Sequence, residues 1–209
     1  MFRLLKKAKV VFISLFIIYI IGLAIGYVSG KLHYVEYNEL QNKGIFKFSR
    51  TLEYKIPGYN NVLNSYKAYH NKLRVTLISK KNFWGIGLLI FFNNFIVANI
   101  TMIIRALFVI PIVLGVFGKF FQGVVFAQTP ATPLLYVVFI MEFGGYFLTI
   151  CATLSGVFWT IFNRRFGFSS RKEAIVNGLK LLGYMYLISG IGMFFGSLLE
   201  TLFLKNMLG

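Results

Sequence analysis

The chain has 209 residues, of which 57% are hydrophobic, 18% aromatic and only 13% charged. Charged residues make up about 25% of a typical soluble domain, so this composition excludes an ordinary water-soluble protein. Lys and Arg number 22 against six acidic residues, which gives a formal charge of +16. Because most of the basic residues flank apolar runs, we expect them to contact the anionic headgroups of a lipid bilayer and not nucleic acid.

The first apolar run, residues 10–30, follows the basic sequence FRLLKKAK. A spanning helix needs about 20 apolar residues, and this run is longer than the apolar part of a secretory signal peptide. We therefore predict a retained first span, with signal cleavage near Ser29 as the alternative. Gly22, Gly26 and Gly30 form a stripe of small residues on one face of this helix, which favours close packing against another helix.

A second apolar stretch, residues 83–126, is about twice the length of one span. Arg105 divides it into two parts of nearly equal length. The sequence therefore predicts two spans, 83–104 and 106–126, with a tight bend near Arg105.

Two further spans are predicted towards the end of the chain. A turn with the sequence AQTPATP precedes an apolar run at 134–162, and the last span covers 179–204. Between them lies a basic loop in which Ser169 or Ser170 is expected to cap a short amphipathic helix. The sequence thus predicts an all-α, polytopic membrane helix bundle of about five transmembrane helices, in a single domain covering residues 1–209.

The polar segment 31–82 contains a predicted helix of a different kind. After the Pro57-Gly58 turn, apolar residues recur at steps of three or four with polar residues between them: Val62, Tyr66, Tyr69, Leu73 and Leu77. This pattern predicts an amphipathic helix of about five turns. The helix either packs on the loop side of the bundle or lies in the headgroup plane.

Basic residues favour the cytoplasmic face of a membrane. The cluster of Arg3, Lys6, Lys7 and Lys9 therefore predicts a cytoplasmic N-terminus for a multi-pass protein of the cell membrane. With five spans, the basic loop 164–172 is cytoplasmic as well. The segment 31–82 then lies outside although it carries ten Lys and Arg residues, which runs against the rule.

Three amides interrupt the span at 83–104, namely Asn93, Asn94 and Asn99. Successive residues on a helix diverge by about 100°, so Asn93 and Asn94 cannot both face one neighbour. We expect this helix to lie in the interior of a bundle or an oligomer. There the amides either hydrogen-bond to other helices or line a substrate or ion pathway.

Other polar residues in the predicted spans are binding candidates as well. An ionised carboxylate at the position of Glu142 costs roughly 2.5–3.5 kcal/mol, so this group must be protonated, paired or in contact with water. Arg105 is a candidate counter-charge, although its side chain can also reach the headgroups. Gln122 and Glu200 complete the polar set. The helix-packing glycines predicted near these residues are Gly123, Gly144, Gly145, Gly192 and Gly196.

Sequence patterns of known catalytic chemistry are absent. The chain contains no H-E-x-x-H, no G-x-S-x-G, no phosphate-binding loop and no Asp. His33 and His70 stand far apart in the sequence, and the single cysteine, Cys151, lies inside an apolar run. We therefore expect no enzymatic activity, no cofactor and no metal site.

Five short stretches follow one another between about residues 88 and 204: FNNFIVANI, FFQGVVFAQ, MEFGGYFLTICATLSG, SSRKEAIVNG and LLETLFL. In order and spacing they resemble the membrane family that includes stage II sporulation protein M. By position the resemblance carries over Asn93, Asn94, Gly123, Glu142 and Glu200.

The chain departs from the family pattern in two places. Family members commonly carry Pro-His-Gly shortly before the span Glu, where this chain has Val137, Val138 and Phe139. Arg105 stands where small apolar residues are usual. A function that depends on the family's His is therefore not implied for this chain.

In spore formers the family's namesake is a membrane scaffold for enzymes that remodel peptidoglycan. The resemblance therefore implies a non-catalytic organiser of membrane-associated partners, and the glycine stripes favour a homo-oligomer. The alternative hypothesis is a small transporter or channel component with a polar intramembrane pathway around Asn93, Asn94 and Glu142.

Overall fold

The computed structural model describes residues 1–32, 59–107, 127 and 133–208. Every regular element in these ranges is a helix, which confirms the all-α class. In chain order the elements are α1 (Phe2–Leu32), α2 (Tyr59–Ser79), α3 (Phe83–Phe92), a π-helical segment (Asn93–Ala98), α4 (Asn99–Leu107), α5 (Pro133–Ile161), a 3-10 turn (Asn163–Phe166) and α6 (Arg171–Leu208).

Four helical segments of the described chain are long and apolar enough to cross a membrane: Phe2–Leu32, Phe83–Ile104, Tyr136–Ile161 and Arg171–Asn206. They are consistent with a membrane protein and coincide with four of the predicted spans. The second segment combines α3, the π segment and most of α4. The backbone is still helical at Leu107, two residues beyond the bend predicted at Arg105. The rest of the predicted span 106–126 lies outside the described residues, together with Gln122 and Gly123.

The helices α5 and α6 run antiparallel and form the most extensive helix pair in the described chain. At the start of α6, the Ser170 hydroxyl accepts a hydrogen bond from the Glu173 N–H at 3.1 Å, while the Glu173 carboxylate accepts one from the Ser169 N–H at 2.7 Å. This reciprocal cap begins the helix, which then continues to Leu208. The prediction of a separate short helix here is wrong, because the capped segment is the first part of α6.

The helix α1 packs along α5 in the opposite direction. Ala8 shares a buried cluster with Trp159, whereas Tyr19 shares a second cluster with Cys151 and Leu154. As the α1 residue numbers rise, the numbers of their α5 neighbours fall, which establishes the antiparallel arrangement.

The beginning of α1 is fastened to the connection between α5 and α6. The Lys7 ammonium donates a hydrogen bond to the Phe166 carbonyl, and its nitrogen lies 4.0 Å from the centre of the Phe168 ring. The start of α1 and the α5–α6 connection therefore lie at the same end of the bundle.

The polar helix α2 folds back along α3. The Leu77 Cδ2 atom lies 2.7 Å from where a Cβ on Gly85 would stand, and the Tyr66 hydroxyl donates to Asn93 Oδ1 at 3.0 Å. Residues on either side of the turn at 80–82 thus pair in antiparallel register. At 1.5 Å per residue, Asn93 is about 15 Å from the start of α3, close to the middle of the span. The helix α2 therefore packs along α3 from the turn to the level of Asn93.

The face that α2 turns to the bundle differs from the predicted face by one residue. Its half-buried side chains include Tyr66, His70, Leu73 and Leu77, whereas Tyr69 is 66% exposed. The prediction for Tyr69 is wrong because a step of four from Tyr66 reaches His70, and the helix keeps that register to Leu77. The side chain of Val62 lies outside the described residues.

We predict that Gly178→Ala destabilises the bundle and that Gly183→Ala does not. A Cβ on Gly178 would lie 2.8 Å from the Gly156 Cα of α5, and backbone atoms cannot yield. A Cβ on Gly183 meets nothing within 4 Å in the described chain. The first substitution should cost about 1–3 kcal/mol, a fall in Tm of a few degrees, as overpacking does.

Thermal unfolding in detergent, followed by circular dichroism, measures both variants. The Gly183→Ala control should leave Tm unchanged or slightly raised, because Ala favours the helix over Gly by about 1 kcal/mol. Equal Tm values for the two variants would contradict the backbone contact between α5 and α6.

Candidate functional site: intramembrane polar contacts

Asn99 is fully buried where α4 meets α5 and α6. Its Oδ1 accepts a hydrogen bond from the Thr149 hydroxyl at 2.8 Å, and its Nδ2 donates to Ser189 Oγ at 3.0 Å. The same Nδ2 lies 3.6 Å from the Met193 sulfur. One amide thus connects three helices, and hydrogen bonds of this kind stabilise membrane bundles by about 0.6–1.7 kcal/mol each.

Gly145 makes room for this cluster. A Cβ at Gly145 would lie 2.7 Å from Ser189 Oγ and 2.8 Å from Met193 Cε. At Gly144, by contrast, no atom of the described chain lies within 4 Å of the corresponding position. The sequence predicted a packing role for both glycines. The close contacts occur at Gly145 and not at Gly144.

The backbone of the second span widens into a π turn directly before Asn99. The Asn99 N–H donates to the Asn94 carbonyl, five residues earlier, where an α-helix would use the Phe95 carbonyl. That Phe95 carbonyl accepts a hydrogen bond from the Tyr186 hydroxyl of α6 at 2.8 Å. A side chain from a neighbouring helix thus supplies the hydrogen bond that the Phe95 carbonyl loses in the π turn.

A second polar set connects α2, the π segment and α5. The Tyr66 hydroxyl donates to Asn93 Oδ1 at 3.0 Å, Asn93 Nδ2 donates to Asn94 Oδ1 at 3.1 Å, and Asn94 Nδ2 donates to Glu142 Oε1. Each group donates to the next, and the chain ends on a carboxylate oxygen. Asn93 therefore faces α2, whereas Asn94 faces α5.

Glu142 and Glu200 line a cleft of about 250 Å³ between the first half of α5 and the end of α6. Both side chains are half-buried. The remaining lining is apolar and consists of Leu134, Val138, Phe139, Phe203 and Leu204.

The predicted glycines of α6 lie against α5 beside this cleft. A Cβ on Gly196 would lie 3.3 Å from Glu142 Cγ, and a Cβ on Gly192 would lie 3.4 Å from the Met141 carbonyl oxygen. Gly196 therefore lies directly beside the side chain of Glu142. A larger residue at Gly196 would displace that side chain.

Two other glycines bring α3 and the π segment close to α6. A Cβ on Gly87 would lie 2.7 Å from Thr201 Oγ1, and a Cβ on Gly190 would lie 2.6 Å from the Phe95 ring. Sequence reasoning missed both, because neither belongs to a stripe of glycines spaced by four. In α1, Gly22 and Gly26 are buried and Gly30 is half-buried. The side chain of Arg105, the predicted counter-charge, lies outside the described residues.

The arrangement can donate and accept hydrogen bonds and can present two carboxyl groups to a cleft. In the described ranges, no group of three or more His, Cys, Asp or Glu side chains could hold a metal ion. His70 lies beside Tyr66 with ring centres 5.7 Å apart, and burial together with the charge of Arg74 lowers the pKa of this His below its usual value. Both effects favour the neutral form of the imidazole.

In comparisons with known proteins, the chain matches no protein-family model, no curated protein and no solved structure.

We predict that Asn99 and Thr149 are energetically coupled. In a double-mutant cycle of Asn99→Leu and Thr149→Val, the coupling energy should be about 0.6–1.7 kcal/mol, because both substitutions remove the same interhelical hydrogen bond. Unfolding free energies in mixed detergent micelles supply the four values of the cycle.

The matched control replaces Thr149→Val by Thr153→Val. The Thr153 hydroxyl bonds to the Thr149 carbonyl of its own helix at 2.8 Å, so this cycle should show no coupling above about 0.3–0.5 kcal/mol. A coupling energy near zero for both cycles would show that Asn99 does not hold α4 to α5.

Proposed function

We propose that the chain is a non-catalytic integral membrane protein of the cell membrane that organises other membrane proteins and assembles as a homo-oligomer. The observation that carries the proposal is the pairing of the three intramembrane amides. Asn93, Asn94 and Asn99 all hydrogen-bond to other helices of the same chain. Amides paired in this way stiffen a helical framework and do not need a transported solute as their partner.

The surface of this framework is suited to contacts with other membrane proteins. Large apolar side chains are exposed along the outer faces of α1 and α6, among them Phe16 and Ile17 on α1 and Leu187, Ile191 and Phe195 on α6. Lipid tails or the helices of partner proteins satisfy such a face equally well.

We also propose membership of the stage II sporulation protein M-like family. Two positions that the resemblance carries over, Asn94 and Glu142, form a direct hydrogen bond between the second span and α5. Glu200, a third such position, lines the same cleft as Glu142. Motif residues that are scattered in the sequence thus meet at one place in the fold.

Five membrane spans are part of the proposal. Ala106 shares a buried cluster with Leu154, so α4 ends beside the later part of α5. Pro133, where α5 begins, is about 30 Å from Leu154 along the helix, which is the thickness of a hydrocarbon core. A connection from α4 to α5 has to pass from one end of the bundle to the other, which supports residues 106–126 as the fifth span.

We predict that reporters fused to the two ends of the chain lie on opposite faces of the membrane, with the N-terminal one in the cytoplasm. An odd number of spans separates the ends, and the basic cluster before residue 10 favours the cytoplasm. Paired cytoplasmic and extracytoplasmic reporters measure the sidedness. A third reporter inserted after Gly167 serves as the control and should share the face of the N-terminus, because Lys7 contacts the Phe166 carbonyl. Two terminal reporters on the same face would refute the five-span topology.

A second candidate function is transport, which the cleft of Glu142 and Glu200 favours. Two carboxyl groups in an otherwise apolar cleft of about 250 Å³ are a feature of ion and proton pathways. The Tyr66–Asn93–Asn94 hydrogen-bond chain leads to one of them. Transport and scaffolding make opposite predictions for the substitution Glu142→Gln.

If the protein is a scaffold, Glu142→Gln should leave its assembly intact, because Gln retains an oxygen that accepts the hydrogen bond from Asn94. Mild-detergent extracts of wild type and variant should then contain the same homo-oligomer with the same membrane partner at fixed stoichiometry. Proteoliposomes should show no ion or solute flux above the protein-free level.

The control is Glu142→Leu, which removes the acceptor and should weaken the assembly through the unpaired amide. Flux that Glu142→Gln abolishes would establish transport instead. A strictly monomeric mass at all concentrations, with no partner, would overturn the scaffold proposal.

A further inference from the structure

The cleft between α5 and α6 has its two carboxyl groups at its inner end. Leu134 and Leu204 line it near the ends of the two helices, whereas Glu142 and Glu200 line it farther along each helix. Glu142 is about 14 Å from the start of α5, and Glu200 is about 12 Å from the end of α6. The two groups therefore lie at a similar depth, and apolar side chains lie between them and the helix ends.

Neither carboxyl group is paired with a cation of the described chain. Glu142 accepts a hydrogen bond from the Asn94 amide, which is uncharged. In the described ranges no Lys or Arg, including Arg74 of α2, forms an ion pair with Glu142 or Glu200. An ionised carboxylate inside a membrane span needs a counter-charge, a proton or water. The charge of the cleft therefore complements a positively charged ligand.

The chemistry of the lining favours an organic cation over a metal ion. A hard cation such as Ca²⁺ or Mg²⁺ takes about six or more oxygen ligands. The two carboxyl groups supply fewer, and the other five lining side chains are hydrocarbon. An ammonium group needs only acceptors for its N–H groups, and the hydrocarbon attached to it can pack against the apolar lining.

The size and polarity of the cleft favour a small amine over a lipid headgroup. Its volume of about 250 Å³ lies below the range of about 300–1,000 Å³ that is typical of pockets for drug-sized ligands. The ammonium group of a lipid lies at the membrane surface, and its acyl chains point inward. The cleft has the opposite polarity, because its carboxyl groups lie deeper than the apolar side chains near the helix ends.

We propose that the cleft binds a small amphipathic amine in its ammonium form. The charged nitrogen lies between Glu142 and Glu200, and a short alkyl or aryl tail extends along the apolar lining towards the helix ends. The inference goes beyond the scaffold role. It concerns binding alone, so it holds with or without transport.

The probe is 4-fluorophenethylamine, a primary amine that is protonated at neutral pH, and its uncharged analogue of the same size is 2-(4-fluorophenyl)ethanol. Fluorine NMR measures the binding of each compound to the purified protein in lipid nanodiscs, with empty nanodiscs as the background. The variants Glu142→Gln and Glu200→Gln each remove one carboxyl group and keep a similar shape. Glu173→Gln is the matched control, because Glu173 caps the opposite end of α6.

Wild type should bind the amine saturably, with one molecule per chain, and at least about tenfold more tightly than the alcohol, because only the ammonium group forms charge-assisted hydrogen bonds. Each cleft variant should weaken amine binding about tenfold or more, whereas Glu173→Gln should bind the amine as wild type does. Methylammonium has no tail to pack against the apolar lining, so it should compete at least about tenfold more weakly than the probe.

Three outcomes overturn the proposal. Absence of saturable binding to wild type would show that lipid or another part of the chain fills the cleft. Equal affinity of wild type for the amine and the alcohol would show that charge is not recognised, and this comparison needs no variant. An equal loss of affinity in Glu173→Gln and the cleft variants would place the amine on the charged surface of the protein. Failure of the scaffold role would be seen separately, as a monomeric mass without a partner in detergent extracts.

Discussion

Acyl chains offer no hydrogen-bond partner to a side-chain amide, and the arrangement of the spans follows from that constraint. Asn99 satisfies it by holding α4 to Thr149 on one side and to Ser189 on the other. Each bond is modest in energy, but rotating α4 by one residue would turn the amide about 100° away from both partners. The contact therefore fixes the rotation and depth of this helix more than it adds to the stability of the bundle.

The π turn explains how two amides of one helical segment, Asn94 and Asn99, both hydrogen-bond to α5. In a regular α-helix, residues five apart such as Asn94 and Asn99 would point about 140° away from each other. Here the wider turn lets Asn94 reach Glu142 while Asn99 reaches Thr149, and these two partners lie two turns apart on one face of α5. The irregular backbone is stabilised from the opposite side, where Tyr186 of α6 donates to the Phe95 carbonyl.

The parts of this fold that sequence predicts are those set by local composition. Apolar runs of about 20 residues locate the spans, and Ser170 with Glu173 marks where a helix begins. The length of α6 was misjudged because a cap specifies a start without specifying an end. The π turn depends on Tyr186, and the position of α2 depends on Asn93. Because these partners are distant in sequence, no local sequence pattern predicts either feature. Tyr69 and His70 illustrate the same limit, since each fits a helical period and only contact with α3 selects His70.

The charge distribution is compatible with the proposed cytoplasmic N-terminus. The rule that basic residues stay inside applies to short loops near the ends of spans and has little force for long segments. The basic residues of α2 are not in a short loop, since the helix packs along α3, where Tyr66 donates to Asn93. At the opposite end of the bundle, Lys7 joins the start of α1 to the α5–α6 connection, which carries Arg164 and Arg165. These cations lie next to the ends of α1, α5 and α6, where the rule is strongest, and they therefore support the proposed cytoplasmic N-terminus.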